Sequence, residues 1–222
     1  MITFESRSLS STHGLRPAPL VHTTEDKQIH IIITNWGSNE LNEKIIEAIL
    51  QSTNSPNLDL DVTQQRNVST QAQNSPHLAL AKGISDANAA ILKAENLWKW
   101  KTVAEVLVLQ FKNNIMYWAQ AGQPQVFIRS SRGVEPVCYT PDSSANFQQP
   151  APLPLNGIGL EESATINSGS LVFTSAEELL LLSSVYAPAG LYLSMSFDLA
   201  QTLDLISQNI PNTPAWVGLL KK

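Results

Sequence analysis

VAEVLVLQFKNNIMYWAQAGQPQVFIRS, residues 103–130, decides the class of fold. It holds three runs rich in β-branched and aromatic residues, 103–111, 114–121 and 125–130, separated by Lys112-Asn113 and by Gly122-Gln123-Pro124 and closed by Ser131-Arg132-Gly133. A parallel crossover needs about a dozen residues or more, so gaps this short join antiparallel neighbours. The three runs are predicted to form one antiparallel meander.

Upstream, ITFESRS (2–8) alternates apolar and polar residues as a half-buried strand does, and IHIIIT (29–34) is a β-branched run suited to a central strand. SNELNEKIIEAILQ (38–51) switches to helical spacing, with Leu41, Ile45, Ala48 and Ile49 on one face and Ser38 or Asn39 placed to cap it. Residues 52–76 are rich in Ser, Asn, Gln and Thr and read as a polar insertion. HLALAKGISDANAAILKAENL (77–97) returns to helical period through Leu78, Ala81, Ile84, Asn88 and Ile91, with Gly83 its weak point.

Downstream of the meander, PDSSANFQQPAPLP (141–154) is a Pro- and Gln-rich loop. ATIN (164–167) predicts a short strand, Ser168-Gly169 a turn, and LVFTS (171–175) a strand; AEELLLLS then predicts a helix reaching about Tyr186. FDLAQTLDLISQN (197–209) predicts another helix and AWVGLL (215–220) a last buried strand. Hairpin strands with helices segregated around them give an α+β sandwich rather than a doubly wound α/β sheet. No repeat or linker divides the chain, so residues 1–222 are expected to form one domain.

Composition narrows the function. At 43% hydrophobic the chain can bury a substantial core, and its net charge of −5 offers no attraction to nucleic acid or an anionic membrane. The only cysteine, Cys138, has no internal disulfide partner, which fits a reducing compartment. No apolar run reaches the roughly 18–20 residues of a transmembrane helix, and MITFESRSLSSTHG lacks the regions of a signal peptide, so a soluble cytoplasmic protein is expected.

Several local sequences carry a family likeness. IITNWGSNELNEKIIEAIL (32–50) echoes a Val-Ala-Asp-Gly strand end followed by a Gly-Gly turn and a helix. GISDANAAILKAENLWKWKTVAEVLVL (83–109) echoes a helix before a Gly-Thr-Thr motif, with Thr102 at the second threonine. NIMYWAQAGQPQVFIRSSRGVEPV (114–137) echoes the strand pair around Gly-Asp-Ser-Arg, Thr140-Pro141-Asp142 the Thr-x-Asp that often follows, and LNGIG (155–159) an Ala-Leu-Gly or Ala-Ile-Gly step. In this order and spacing the chain resembles, nearly end to end, the metal-dependent protein serine/threonine phosphatases of type 2C. The resemblance implies a four-layer α-β-β-α sandwich, two stacked antiparallel sheets flanked by helices. In active members, aspartates at strand ends hold two metal ions that activate a water for attack on a phosphoserine or phosphothreonine.

Carried over residue by residue, the likeness implies a depleted site. Thr34 stands at the first-motif aspartate and Asn35 at the glycine whose carbonyl also ligates metal. The family's Arg and the Asn-Glu-Asp three residues on fall on Arg16 and Pro19-Leu20-Val21, which keeps a possible remnant phosphate contact, Arg16, without its carboxylates. Only Gly122 remains of Gly-Asp-Ser-Arg, with Gln123 for the acid; Ser175-Ala176-Glu177 is matched to Ser-Asp-Gly and Pro211-Asn212-Thr213 to the last Asp-Asn-x-Thr. Mg²⁺ and Mn²⁺ need hard, preferably anionic oxygens, so no metal, cofactor or catalytic residue is expected.

Other chemistry-bearing residues read as structural. Glu177-Glu178 would favour the positive end of a helix dipole, and Glu161-Glu162 would be solvated. His13, His22, His30 and His77 lack metal-ligand spacing, and Cys138 reads as a buried thiol. The expectation is a pseudophosphatase that binds a protein partner, a phosphoprotein or a kinase among the possibilities, with Trp36, Trp98 and Trp100 as candidate anchors. The alternative is an enzyme with a non-standard or metal-independent site.

Overall fold

The computed structural model describes residues 2–9, 16–54, 75–96, 102–138, 156–184, 187–209 and 214–222. Most of the polar stretch 52–76, all of the loop 141–154, and Trp98 and Trp100 lie outside these residues.

Two five-stranded antiparallel sheets carry the fold. One is ordered β2 (Leu20–Thr23), β3 (Ile29–Trp36), β4 (Val103–Lys112), β5 (Ile115–Ala121) and β8 (Ile166–Val172). The other is ordered β1 (Thr3–Leu9), β10 (Ala215–Lys221), β9 (Glu178–Ser183), β6 (Gln125–Ser130) and β7 (Gly133–Cys138). Alternation along each strand divides the apolar residues between layers. Ile31 and Ile33 of β3 and Val106 and Val108 of β4 pack with Leu41, Ile45 and Ile49 of α1 (Glu40–Asn54) and Leu80, Ile84 and Ile91 of α2 (Pro76–Ile91). Their neighbours Ile32, Leu107 and Leu109 face the other way and meet Leu179, Leu181, Trp216 and Leu220 of the second sheet. Leu180, Leu182, Val217 and Leu219 then cover Leu199 and Ile206 of α3 (Leu199–Asn209) and Leu191 of a 3₁₀ turn. The layers are therefore helix, sheet, sheet, helix, as the sequence led one to expect.

Three local expectations are corrected. Residues 178–183 form β9, not a helix, because a strand buried on both faces reads as an unbroken apolar run, and Leu179 to Leu182 give no period by which to separate strand from helix. Glu178 accordingly heads a strand, where it pairs with Arg129 at 3.0 Å and Lys221 at 2.9 Å and accepts the Phe197 N–H at 3.0 Å. Burial alone would raise the pKa of its carboxyl, but these hydrogen bonds and charges outweigh it and hold the pKa down at about 2.

The meander holds only for β4 and β5. After Gly122-Gln123-Pro124 the chain enters the opposite sheet, where β6 lies between β9 and β7. A short connection shows that two strands are near, not that they share a sheet. Ser168-Gly169 is not a turn either: β8 runs through it with unbroken register against β5, and Gly169 lies opposite Trp118.

Gly83 is the contact point of the two helices rather than a defect. A Cβ there would stand 2.7 Å from Ile49 Cα. On an open helix face Gly→Ala gains about 1 kcal/mol. Here Gly83→Ala is expected to lose about 1–3 kcal/mol in urea unfolding, because backbone must move to admit the methyl.

His30, 1% exposed, lies between the sheets with Phe4 and Phe111 ring centroids at 5.7 and 5.8 Å, and its Nδ1 is 3.1 Å from Thr23 Oγ1. Burial lowers its pKa to about 4 against a small opposing effect from the Lys27 backbone. The folded state thus keeps the ring neutral while the unfolded chain takes up a proton below its ordinary value. This stability is complete above pH ~6.5 and is lost as pH falls toward 4, by about 3 kcal/mol. His30→Phe is expected to flatten that part of the stability–pH curve in denaturant titrations.

Candidate functional site

The apolar filling between the sheets ends in a polar cluster at the end remote from His30. β3 brings Thr34 there, and register places Glu105 of β4 beside it. β9 brings Ser183 from the second sheet, its Oγ 3.2 Å from Thr34 Oγ1. All three are buried, Glu105 to 1% exposure.

Arg16, in the segment leading into β2, reaches into this cluster. Its Nη2 donates to Glu105 Oε2, its Nε donates to Ser183 Oγ at 3.0 Å, and its guanidinium lies 5.3 Å from the centroid of the Trp36 ring. One cation therefore bridges a carboxylate on one sheet and a hydroxyl on the other, with an aromatic face beside it. Its side chain is 11% exposed. Burial pushes the Glu105 carboxyl above the usual carboxylate range, and the charge and hydrogen bond of Arg16, with a backbone hydrogen bond from Gln123, oppose that rise.

The surrounding backbone is fitted to these side chains. Gly122 adopts φ +89°, and a Cβ there would fall 2.4 Å from Glu105 Cγ. A Cβ on Gly37 would fall 2.4 Å from Thr102 Oγ1, so the turn after β3 lies directly on Thr102. Asn35 Nδ2 donates to Ser38 O at 2.8 Å and to Asn42 Oδ1 at 2.9 Å, and the Glu40 N–H donates to Ser38 Oγ at 3.3 Å, which ties that turn to the start of α1.

Of the residues singled out in the sequence, Arg16, Thr34, Gly122 and Gln123 come together here, Trp36 lies beside Arg16, and Asn35 and Thr102 belong to the adjoining turn. Ala176 does not: it sits in the turn before β9, with its N–H 3.4 Å from Thr174 Oγ1, at the opposite end of that strand from Thr34. The strand end that meets Thr34 is Ser183-Ser184, so a Ser-Asp-Gly match placed by geometry shifts there. Residues 140–142 and 211–213 lie outside the described residues. Glu105 went unnoticed in the sequence, and Ser183, beside Ser184, carries there no nucleophile-elbow context that would mark it as a site residue. The signal was Glu105, the sole charged residue in VAEVLVLQF. Glu161 and Glu162 are exposed, and their backbone carbonyls accept from Asn88 Nδ2 at 3.0 and 3.2 Å. Among the described residues no group of three His, Cys, Asp or Glu side chains is placed to hold a metal ion.

Solved structures similar to this one over nearly the whole chain include serine and serine/threonine phosphatases. A bacterial serine phosphatase is similar over 100% of this chain and 98% of its own, at TM-score 0.68 and 14% identity. Stp1 of Staphylococcus aureus, a serine/threonine phosphatase, is similar over 100% and 95% at TM-score 0.64 and 14% identity. The catalytic domain of the serine/threonine phosphatase PstP, solved in complex with 2 manganese ions, is similar over 99% and 97% at TM-score 0.58 and 13% identity. The chain has the fold of the type 2C serine/threonine phosphatases. No protein-family model matches it, and no curated protein matches it by sequence.

Within this type 2C fold the described cluster offers hydroxyls, one guanidinium and one carboxylate that the guanidinium already compensates. Removing one member of a buried pair leaves an uncompensated charge and costs about 3–5 kcal/mol, whereas replacing both with apolar groups is often neutral or stabilising. Arg16→Met alone is expected to destabilise by that amount in urea unfolding, and adding Glu105→Leu to recover most of the loss. Independent, additive losses would show that the two side chains are not coupled.

Proposed function

We propose that this chain is a catalytically inactive type 2C phosphatase-like protein, a pseudophosphatase acting as a protein-binding or regulatory module in the cytoplasm. The observation that carries the reading is the Arg16 guanidinium seated between Glu105 and Ser183. Two adjacent dications need several anionic oxygens to offset their charge, and Thr34, Ser183 and Gln123 supply none. Glu105, the one acid of the described cluster, already meets a cation that cannot give up its proton at any working pH. These residues do not fit a two-metal centre. Without such a centre an attacking water keeps a pKa far above neutrality.

A protein partner follows from the same reading, since a fold kept without its reaction still presents a shaped surface; a phosphoprotein or a kinase is the class proposed. In the phosphate-contact role suggested for Arg16, a phosphoryl group would have to displace Glu105 from the guanidinium, so phosphate binding is expected to be weak.

The test titrates purified protein with Mn²⁺ and with Mg²⁺ while following the melting temperature and the hydrolysis of a chromogenic phosphate ester. Ligand at a hundred times its Kd stabilises a native state by about 2.7 kcal/mol, so metal binding would be visible in the melt. The reading expects no metal-dependent shift and no turnover. Both appearing together would overturn it, and turnover without added metal would instead support an enzyme with a metal-independent site.

A further inference from the structure

Among the described residues each sheet has two edge strands, and three of these four edges are protected against pairing with another chain. β1 carries Glu5 and Arg7, β2 is only four residues long, and β7 carries Glu135 and Pro136 and a register shift against β6. Charge, brevity, proline and bulges are the devices that keep an exposed edge from templating a further strand. β8 has none of them. Its seven residues, INSGSLV, contain no charge and no proline, and they run in unshifted register along β5 from Ile166 opposite Ala121 to Val172 opposite Ile115. Among the described residues no strand pairs with its outer side.

The sequence of this edge permits pairing with a second copy of itself. An antiparallel pairing of β8 with a second copy about Gly169 sets Ile166 against Val172, Asn167 against Leu171 and Ser168 against Ser170, so no like charges oppose one another. Ile166 packs on the helix-side core, and by alternation Ser168, Ser170 and Val172 share its face. Val172 is 63% exposed, one of the few large apolar side chains left in solvent among the described residues, and this register would lay it against Ile166 of the second copy. At the centre, Gly169 presents no side chain on the face where Trp118 lies against it, with Trp118 Cζ2 3.1 Å from where a Cβ would be.

We propose that β8 is a homodimerisation edge, through which two copies of this chain join their five-stranded sheets into one continuous antiparallel sheet. Such an association is isologous and closed, as most homodimers are. A seven-residue edge supplies less contact than a standard interface, so the dimer is one of moderate affinity that responds to concentration.

Sedimentation velocity over a concentration series from low micromolar to several hundred micromolar tests this on the whole chain. The expected result is a monomer–dimer equilibrium in which Val172→Lys, and separately Ser170→Lys, raises the dimer dissociation constant by roughly tenfold or more, since each sets an ammonium inside the seam. Both positions are exposed, so the melting temperature of either variant should match that of the unaltered protein and exclude misfolding as the cause. Hydrogen exchange supplies a second readout: protection of the outward amides of β8 should rise with concentration. A chain that stays monomeric throughout, a dimer indifferent to both substitutions, or β8 amides already protected in the monomer would each overturn the proposal.

Discussion

A carboxylate in the middle of an apolar strand must be matched by something, and the packing at one end of the two sheets is organised around how Glu105 is matched. The strand that carries it is buried over nearly its whole length, with helices on one side and the second sheet on the other. Water cannot supply the counter-charge. Arg16 does, from a segment distant in sequence, and in doing so its Nε also reaches Ser183 of the opposite sheet. The guanidinium thereby links, beside the Thr34–Ser183 hydroxyl contact, two layers whose shared core is mostly apolar.

On the proposed reading, this arrangement gives the type 2C fold a different internal electrostatics from that of a site built around a pair of metal ions. A metal pair draws its stability from surrounding acids. Here a fixed side-chain cation, planar and with several donors, satisfies a single acid and a hydroxyl and lies beside an indole. The surrounding backbone follows suit, with Gly122 bared so that Glu105 fits. On the proposed reading, the cleft has been rebuilt as part of the core rather than merely stripped of ligands.

Much of the architecture was legible because its signals are local. β3 is a β-branched run, α1 shows a clean apolar stripe through Leu41, Ile45 and Ile49, and Ser38 stands where a cap belongs. β9 was not legible, since Leu179 to Leu182 are buried on both faces and lose the alternation that marks a strand. Nor was the passage of β6 into the other sheet, because Gly122-Gln123-Pro124 has the length of a hairpin loop as well as of a link between sheets. The site divided in the same way. Arg16 and Thr34 were found through motif order, but Glu105 and Ser183 belong to the site only through pairing across strands and across sheets. The misplacement of Ala176 followed directly from reading β9 as a helix.

The central claim is that an arginine rather than metal ions occupies the polar end of the inter-sheet space. Anomalous scattering from crystals grown in manganese tests it most directly. The account predicts continuous density for the Arg16 side chain between Glu105 and Ser183 and no manganese peak between the two β layers; a pair of peaks there, with Arg16 turned away, would contradict it.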